Sequence, residues 1–244
     1  VLQACLNGTR APGDHPALPV TPEELAADAA RVAGLGVFGV HIHPRAADGS
    51  ETLRPQEVGE TVSAVRAATS VEIGVTTGSW VVPEPADRLL QVAGWAAPGE
   101  GRPDLASVNV HEEGWQEVCV ALHDGGIAIE LGVFHAAAAG QLAAAGIPPG
   151  AVRVLAEIQP TEPADALAEV EVLLHLLTGC GVPVLLHGAE ETTWAVLAEA
   201  RAGGLATRIG LEDTLALPDG RVPEDNAALV EAATGYPLNR VGTR

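Results

Sequence analysis

Aromatic side chains are nearly missing from this chain: Phe, Tyr and Trp make up 3% of its 244 residues, and Met is absent. Ala, Val and Leu therefore have to fill the interior. Cysteine is also scarce. Cys5, Cys119 and Cys180 are an odd, widely spaced set without a C-x-x-C pair, which excludes a disulfide framework and reads as reduced thiols of a cytoplasmic protein. Basic residues are few against acidic ones, and the formal net charge of −19 argues against nucleic acid or anionic membranes as partners. With such a surface an anionic ligand needs local Arg. No apolar run approaches the roughly 20 residues of a membrane helix. No charged-then-apolar leader is present, and the missing initiator Met leaves room for a trimmed start. The phosphate-loop pattern and a strand-linked G-x-G-x-x-G are absent too, so nucleotide binding of those kinds is not supported.

What remains is an apolar chain, 47% hydrophobic, in which strand-like runs alternate with amphipathic stretches from end to end. The strands are expected at Leu2–Leu6, Val37–His43, Val71–Thr76, Leu105–Val110, Ile127–Leu131, Val152–Ile158, Val182–His187 and Thr207–Leu211. Helices are expected at Pro22–Gly34, Pro55–Ala68, Pro85–Ala96, Gly114–Asp124, Phe134–Ala145, Pro163–Thr178, Glu190–Ala202 and Glu224–Thr234. Thr21-Pro22-Glu23-Glu24 is a strong helix start: a cap, a proline in the first turn and acids at the positive dipole end. Eight strand–helix units with continuously apolar strands predict an α/β fold, a single-domain (β/α)8 TIM barrel over residues 1–244.

A barrel gathers its chemistry at the C-terminal strand ends, which makes the polar residues there the candidates. In Val40-His41-Ile42-His43 the two imidazoles share one face of a strand, since side chains alternate. With a distant Glu212 they would make a two-His, one-carboxylate site for a divalent metal, zinc in preference to other first-row ions, with a position open for substrate. The alternative is a pair of satisfied core histidines. Glu212 and Asp213 are neighbours and cannot enter the same space, so one can bind metal while the other serves as base. Alternatively, Glu212 pairs with Arg208 and Asp213 caps a turn. Thr76, Thr77 and Ser79 beside Gly78 form a hydroxyl-rich turn suited to a carboxylate or oxyanion, although such turns also occur without function. Ser107, Asn109 and His111 end strand four, and Glu130, Glu157, Gln159 and His187 end strands five to seven. Arg10 and Arg45 can each fork onto a carboxylate or phosphate, or form surface ion pairs. His15, His123, His135 and His175 read as structural.

The run Asn7-Gly8-Thr9-Arg10, then His15 to Glu24, then His41-Ile42-His43-Pro44-Arg45 with Asp48-Gly49, resembles the beta-keto acid cleavage enzymes. Thr76-Thr77-Gly78, Ser107-Val108-Asn109, Arg208 to Asp213 and Asn226 to Val230 continue the likeness in order over nearly the whole chain. That resemblance implies a zinc-dependent barrel enzyme, usually a homotetramer, condensing a β-keto acid with acetyl-CoA to give acetoacetate and an acyl-CoA. It implies His41, His43 and Glu212 as metal ligands and Asp213 as base. It also implies Thr76 as proton relay, Arg208 as the orienting group and Ser107 as a substrate-side hydroxyl. Thr77, Gly78, Asn109 and Arg10 complete the expected substrate contacts. The departures are Thr76 where Ser is frequent, Arg10 where an acid is found, and the strand ends at Glu157–Pro160 and His187. Arg10 predicts a neutral or anionic substrate tail. The chain stops soon after Gly235, where a further terminal helix is expected in other members. The alternatives are a CoA-independent metal aldolase or hydrolase, and a non-catalytic metabolite-binding protein that keeps the metal.

Overall fold

The computed structural model describes residues 1–97, 99–159 and 162–236. Pro160 and the chain beyond Tyr236 lie outside them. Eight parallel strands run β1 (Leu2–Cys5), β2 (Gly39–Ile42), β3 (Glu72–Thr76), β4 (Leu105–Asn109), β5 (Ala128–Val133), β6 (Ala151–Ile158), β7 (Val184–Gly188) and β8 (Thr207–Ile209). They hydrogen-bond in the order β7-β6-β5-β4-β3-β2-β1-β8. The remaining seam, between β7 and the start of β8, is closed by a single parallel bridge from Leu185 to Ala206. The expected TIM barrel is thus present and nearly closed. Each strand is followed by a helix: α1 (Pro22–Ala33), α2 (Pro55–Ala68), α3 (Pro85–Ala93), α4 (Trp115–Asp124), α5 (Ala136–Ala145), α6 (Pro163–Leu176), α7 (Thr193–Ala202) and α8 (Asn226–Gly235).

Local chemistry sets these boundaries. Thr21 and Glu24 close a reciprocal capping box on α1, which satisfies backbone N–H groups that the first helical turn leaves open. The His135 ring and the Asp225 carboxylate cap α5 and α8 by accepting from Ala138 N and Ala228 N. Between the two layers lie Val40, Ile42, Ile73, Val75, Ile129, Leu131, Val196 and Leu229, all shielded from solvent. With so few aromatics, the core is packed mainly by branched aliphatics and alanine.

Four strands end earlier than the apolar pattern predicts, β1, β2 and β4 by one residue and β8 by two. β2 stops at Ile42, and His43 is held instead by a reciprocal pair with Asn7: Asn7 Nδ2 donates to His43 O and His43 N donates to Asn7 Oδ1, both at 2.9 Å. β8 stops at Ile209 because Gly210 lies flat against the first strand. A Cβ there would sit 1.8 Å from Cys5 O. The chain then curls into a turn, with Asp213 N and Thr214 N both donating to Gly210 O at 2.9 and 3.1 Å. That turn aims both Glu212 and Asp213 at the barrel mouth, which an extended strand could not do.

Candidate metal centre and substrate cavity

At the C-terminal ends of the strands a cavity of about 290 Å³ opens. His41 projects from β2 and His43 from just beyond it, and their Nε2 atoms approach to 3.1 Å. Glu212, from the turn after β8, brings Oε2 to 3.9 Å from His41 Nε2 and Oε1 to 3.8 Å from His43 Nε2. One donor atom from each residue falls within 4.8 Å of the others. Gly8 makes the approach feasible: it sits at φ +54°, and a Cβ there would lie 2.3 Å from Glu212 Cγ. Asn226 fixes the same turn, accepting from Leu211 N at 2.7 Å and donating to Leu6 O at 2.8 Å.

The donor set fits a divalent ion. Burial drives the His41 imidazole down to about 3 against the pull of Glu212, so the ring is neutral, the form that binds metal. His43 Nδ1 lies 2.7 Å from Glu51 Oε2, a carboxylate brace that leaves Nε2 facing inward. Burial raises the Glu212 carboxyl, but Arg208, His41 and His43 outweigh it and hold the group near 2. Glu212 Oε2 and His41 Nδ1 are buried without any hydrogen-bond partner. A buried carboxylate oxygen in that condition is costly unless a cation meets it.

Beside the triad lies a second cluster. Arg208 is buried, and its Nε donates to Asp213 Oδ1 at 3.1 Å while Nη2 donates to Glu212 Oε1 at 2.9 Å. Burial opposes its charge, yet Asp213, Cys5, Glu212 and Glu157 hold its pKa well above the usual guanidinium value. Asp213 Oδ2 has no partner. His187 sits behind, with Nδ1 3.4 Å from Asp213 Oδ1 and Nε2 3.2 Å from Glu157 Oε2. Its Nδ1 is also 3.2 Å from Arg208 Nε, which requires the other tautomer. Burial and Arg208 push this imidazole down, but the contacts with Asp213 and Glu157 prevail and raise it, which favours donation to Asp213. Burial likewise raises Glu157, and its contacts with His187 and Arg208 bring it below the ordinary carboxylate value.

The expected residues separate into two groups. Thr76, Ser107, Asn109, Arg10, Arg208 and Asp213 line the cavity together with the triad. Thr76 Oγ1 accepts from Gly78 N at 3.1 Å, which orients the hydroxyl. Asn109 is oriented by Glu112, to which its Nδ2 donates at 2.9 Å. Thr77 and Gly78 do not line the cavity: the Thr77 hydroxyl donates to Ser107 O at 2.7 Å, and Gly78 lies under the Trp80 ring. Arg45 is structural, tying the strand-end loops through Gly8 O and Arg10 O at 2.6 and 2.7 Å. Glu130 is also structural, because it is fully buried and ion-paired with Arg153. His15 is structural as read, with Nε2 2.9 Å from Pro223 O.

Residues that escaped the sequence reading include Glu51, Trp80, Phe134 and Glu190. Glu51 braces His43, and the exposed Trp80 donates from its indole to that same carboxylate at 3.2 Å. Phe134 and Glu190 line the cavity. A weak signal existed for Glu51, since an acid eight residues past His43 follows the Asp48-Gly49 turn. Nothing in the sequence marked the other three.

An eight-stranded barrel with a metal-competent triad and a flanking Asp–Arg pair at its strand ends defines an α/β-barrel enzyme class. The beta-keto acid cleavage enzyme family matches residues 1–237, and this chain belongs to that family. Among solved structures, the type I 3-dehydroquinate dehydratase from Clostridium difficile shares the fold. It has a TM-score of 0.66 at 11% identity, covering 96% of this chain and 90% of that one. The 3-dehydroquinate dehydratase from Geobacillus kaustophilus superposes with a TM-score of 0.63 at 14% identity, covering 97% and 92%. At such identities the likeness is one of fold. No helix among the described residues is long and apolar enough to cross a membrane.

Proposed function

We propose that this chain condenses a β-keto acid with acetyl-CoA, releasing acetoacetate and the CoA ester of the remaining fragment. The observation that supports this best is the convergence of the His41–His43–Glu212 triad, Asp213 and Thr76 on one cavity in a member of this family. A divalent ion held by His41, His43 and Glu212, zinc by the preference of that donor set, would supply Lewis-acid polarisation of a carbonyl oxygen.

The chain's own residues account for the proton chemistry. Asp213 Oδ2, buried and unpaired, takes the proton from the carbon between ketone and carboxylate. Arg208 holds Oδ1, so the free oxygen points in a fixed direction. The Thr76 hydroxyl accepts from Gly78 N and keeps its own proton for relay. Ser107 and Asn109 present polar groups to the substrate from the facing wall. The carbanion attacks the acetyl carbonyl and expels the CoA thiolate. The thiolate then adds to the original ketone, the old carbon–carbon bond breaks, and the departing carbanion regains a proton from Asp213 to become acetoacetate. Proton transfer by a placed carboxylate is worth about 10²–10⁴-fold.

The 244 residues contain no lysine, so Schiff-base chemistry of the kind a barrel lysine supports is not available within them. A CoA-independent reaction would have to rest on the same metal triad. The deciding test is acetoacetate formation by zinc-loaded protein from acetyl-CoA and a panel of β-keto acids. Product from any member supports the reading. Turnover of the same acids without acetyl-CoA would overturn it, and so would silence across the panel with metal bound. We extend the reading to a cytoplasmic homotetramer, for which light scattering should return four times the 24.9 kDa chain mass.

A further inference from the structure

We propose that the Arg10–Glu190 ion pair reads the substrate tail and selects β-keto acids whose tail is uncharged. The inference rests on the β-keto acid reading above and narrows it. Arg10, after β1, and Glu190, after β7, both line the cavity. Arg10 Nη2 lies 2.7 Å from Glu190 Oε1. The same guanidinium donates from Nε to Leu211 O at 2.9 Å and from Nη2 to Glu212 O at 3.3 Å. Its Nε and Nη2 are therefore occupied, and its charge is met by a carboxylate of this chain.

Glu190 is held there at a cost. It is the one non-glycine among the described residues in the left-handed region, at φ 52°, a conformation that a Cβ disfavours. Two anchors fix it: its N–H donates to Asp213 O at 2.6 Å, and the Thr193 hydroxyl, three residues on, donates to the same carbonyl at 3.1 Å. The strain places the Glu190 carboxylate over Arg10.

The other charged groups of the cavity are engaged within the chain too, although Glu212 Oε2 and Asp213 Oδ2 keep no hydrogen-bond partner of their own. Arg208 meets Asp213 at 3.0 Å and Glu212 at 2.9 Å, while Glu157 meets His187 at 3.2 Å. Beside the triad, the rest of the wall is uncharged, apolar at Trp80, Phe134, Leu155 and Ala189 and polar at Thr9 and Gln159 among others. A charged tail of either sign would have to compete with an existing pair, at a modest cost for the partly exposed Arg10–Glu190 pair, or be stripped of water without a partner, which costs more. An uncharged tail needs neither.

The test compares 3-oxohexanoate with 3-oxohexanedioate, six-carbon chains whose tails end in a methyl group and a carboxylate respectively. Binding is measured by calorimetry on zinc-loaded protein, in the parent and in Glu190→Gln, with metal content checked in each. The parent should favour the uncharged tail. Glu190→Gln leaves Arg10 without its carboxylate and should shift the affinity ratio toward the diacid by about tenfold. Glu190→Asn, which tolerates the left-handed backbone better, should shift it in the same direction. Equal affinities in the parent, or an unchanged ratio in both variants with metal retained, would overturn the proposal. Acetoacetate formation is followed in parallel. Binding of 3-oxohexanoate without acetyl-CoA-dependent product defeats the proposed reaction and leaves the ion pair to be judged on the binding ratio. Failure of both acids to bind overturns both.

Discussion

At the scale of single residues, the metal triad and the base make different demands. His43→Ala removes one of three donor atoms and should abolish retention of a divalent ion through dialysis, read by elemental analysis. Glu51→Gln leaves the ligands intact but loosens the brace on His43 Nδ1, 2.7 Å away. Metal affinity should fall about 10–100-fold, the usual effect of losing such an outer partner. Full retention at parent affinity would show that Glu51 does not orient the ring. Asp213→Asn is isosteric and keeps Glu212 in place. It should hold metal normally and lose about 10²-fold or more in kcat. Parent-like turnover would remove Asp213 from the role of base and point to a different proton acceptor.

At the scale of elements, α1 and α8 are joined by a buried polar contact that sets a pH dependence. Asp28 on α1 is 5% exposed and accepts from Asn226 Nδ2 of α8 at 2.6 Å. Burial raises its carboxyl to about 6, against the pull of Asn226 and Arg31. The sign follows directly: the folded state binds this proton more tightly than the unfolded chain. The contribution is therefore complete below the ordinary value of 3.8 and is lost as pH rises to about 6. The size is about 3 kcal/mol, from a shift of about two units. Asp28→Asn keeps an acceptor for Asn226 without the charge. Its denaturant midpoint should match the parent near pH 4 and exceed it at pH 7.5. Equal midpoints at both pH values would show that Asp28 is solvated in solution.

At the scale of the molecule, the triad joins distant parts of the chain, with two ligands at β2 and one after β8. An ion that binds only the folded state raises stability by mass action, by about 4 kcal/mol at a thousandfold excess over its Kd. The thermal midpoint should therefore climb with added zinc and return to baseline with a chelator. A midpoint indifferent to zinc would contradict a site made by folding.

Much of this was written along the chain. Alternating apolar runs and helix-start signals determined the barrel, because periodicity and capping are local properties of the backbone. The H-x-H spacing put two imidazoles on one face for the same reason, and the Arg208 to Asp213 run supplied their partners. Tertiary structure alone decided how Glu212 and Asp213 share the mouth. That depends on Gly210 pressed against Cys5 and on Asn226 reaching in from α8, contacts between segments far apart in sequence. It also decided that Thr77 and Arg45 serve the scaffold, since each hydroxyl or guanidinium bonds whichever carbonyl the fold brings near. The meeting of Arg10 with Glu190, 180 positions on, belongs to the same kind: a charge is legible in a sequence, but its partner is settled only when the barrel closes.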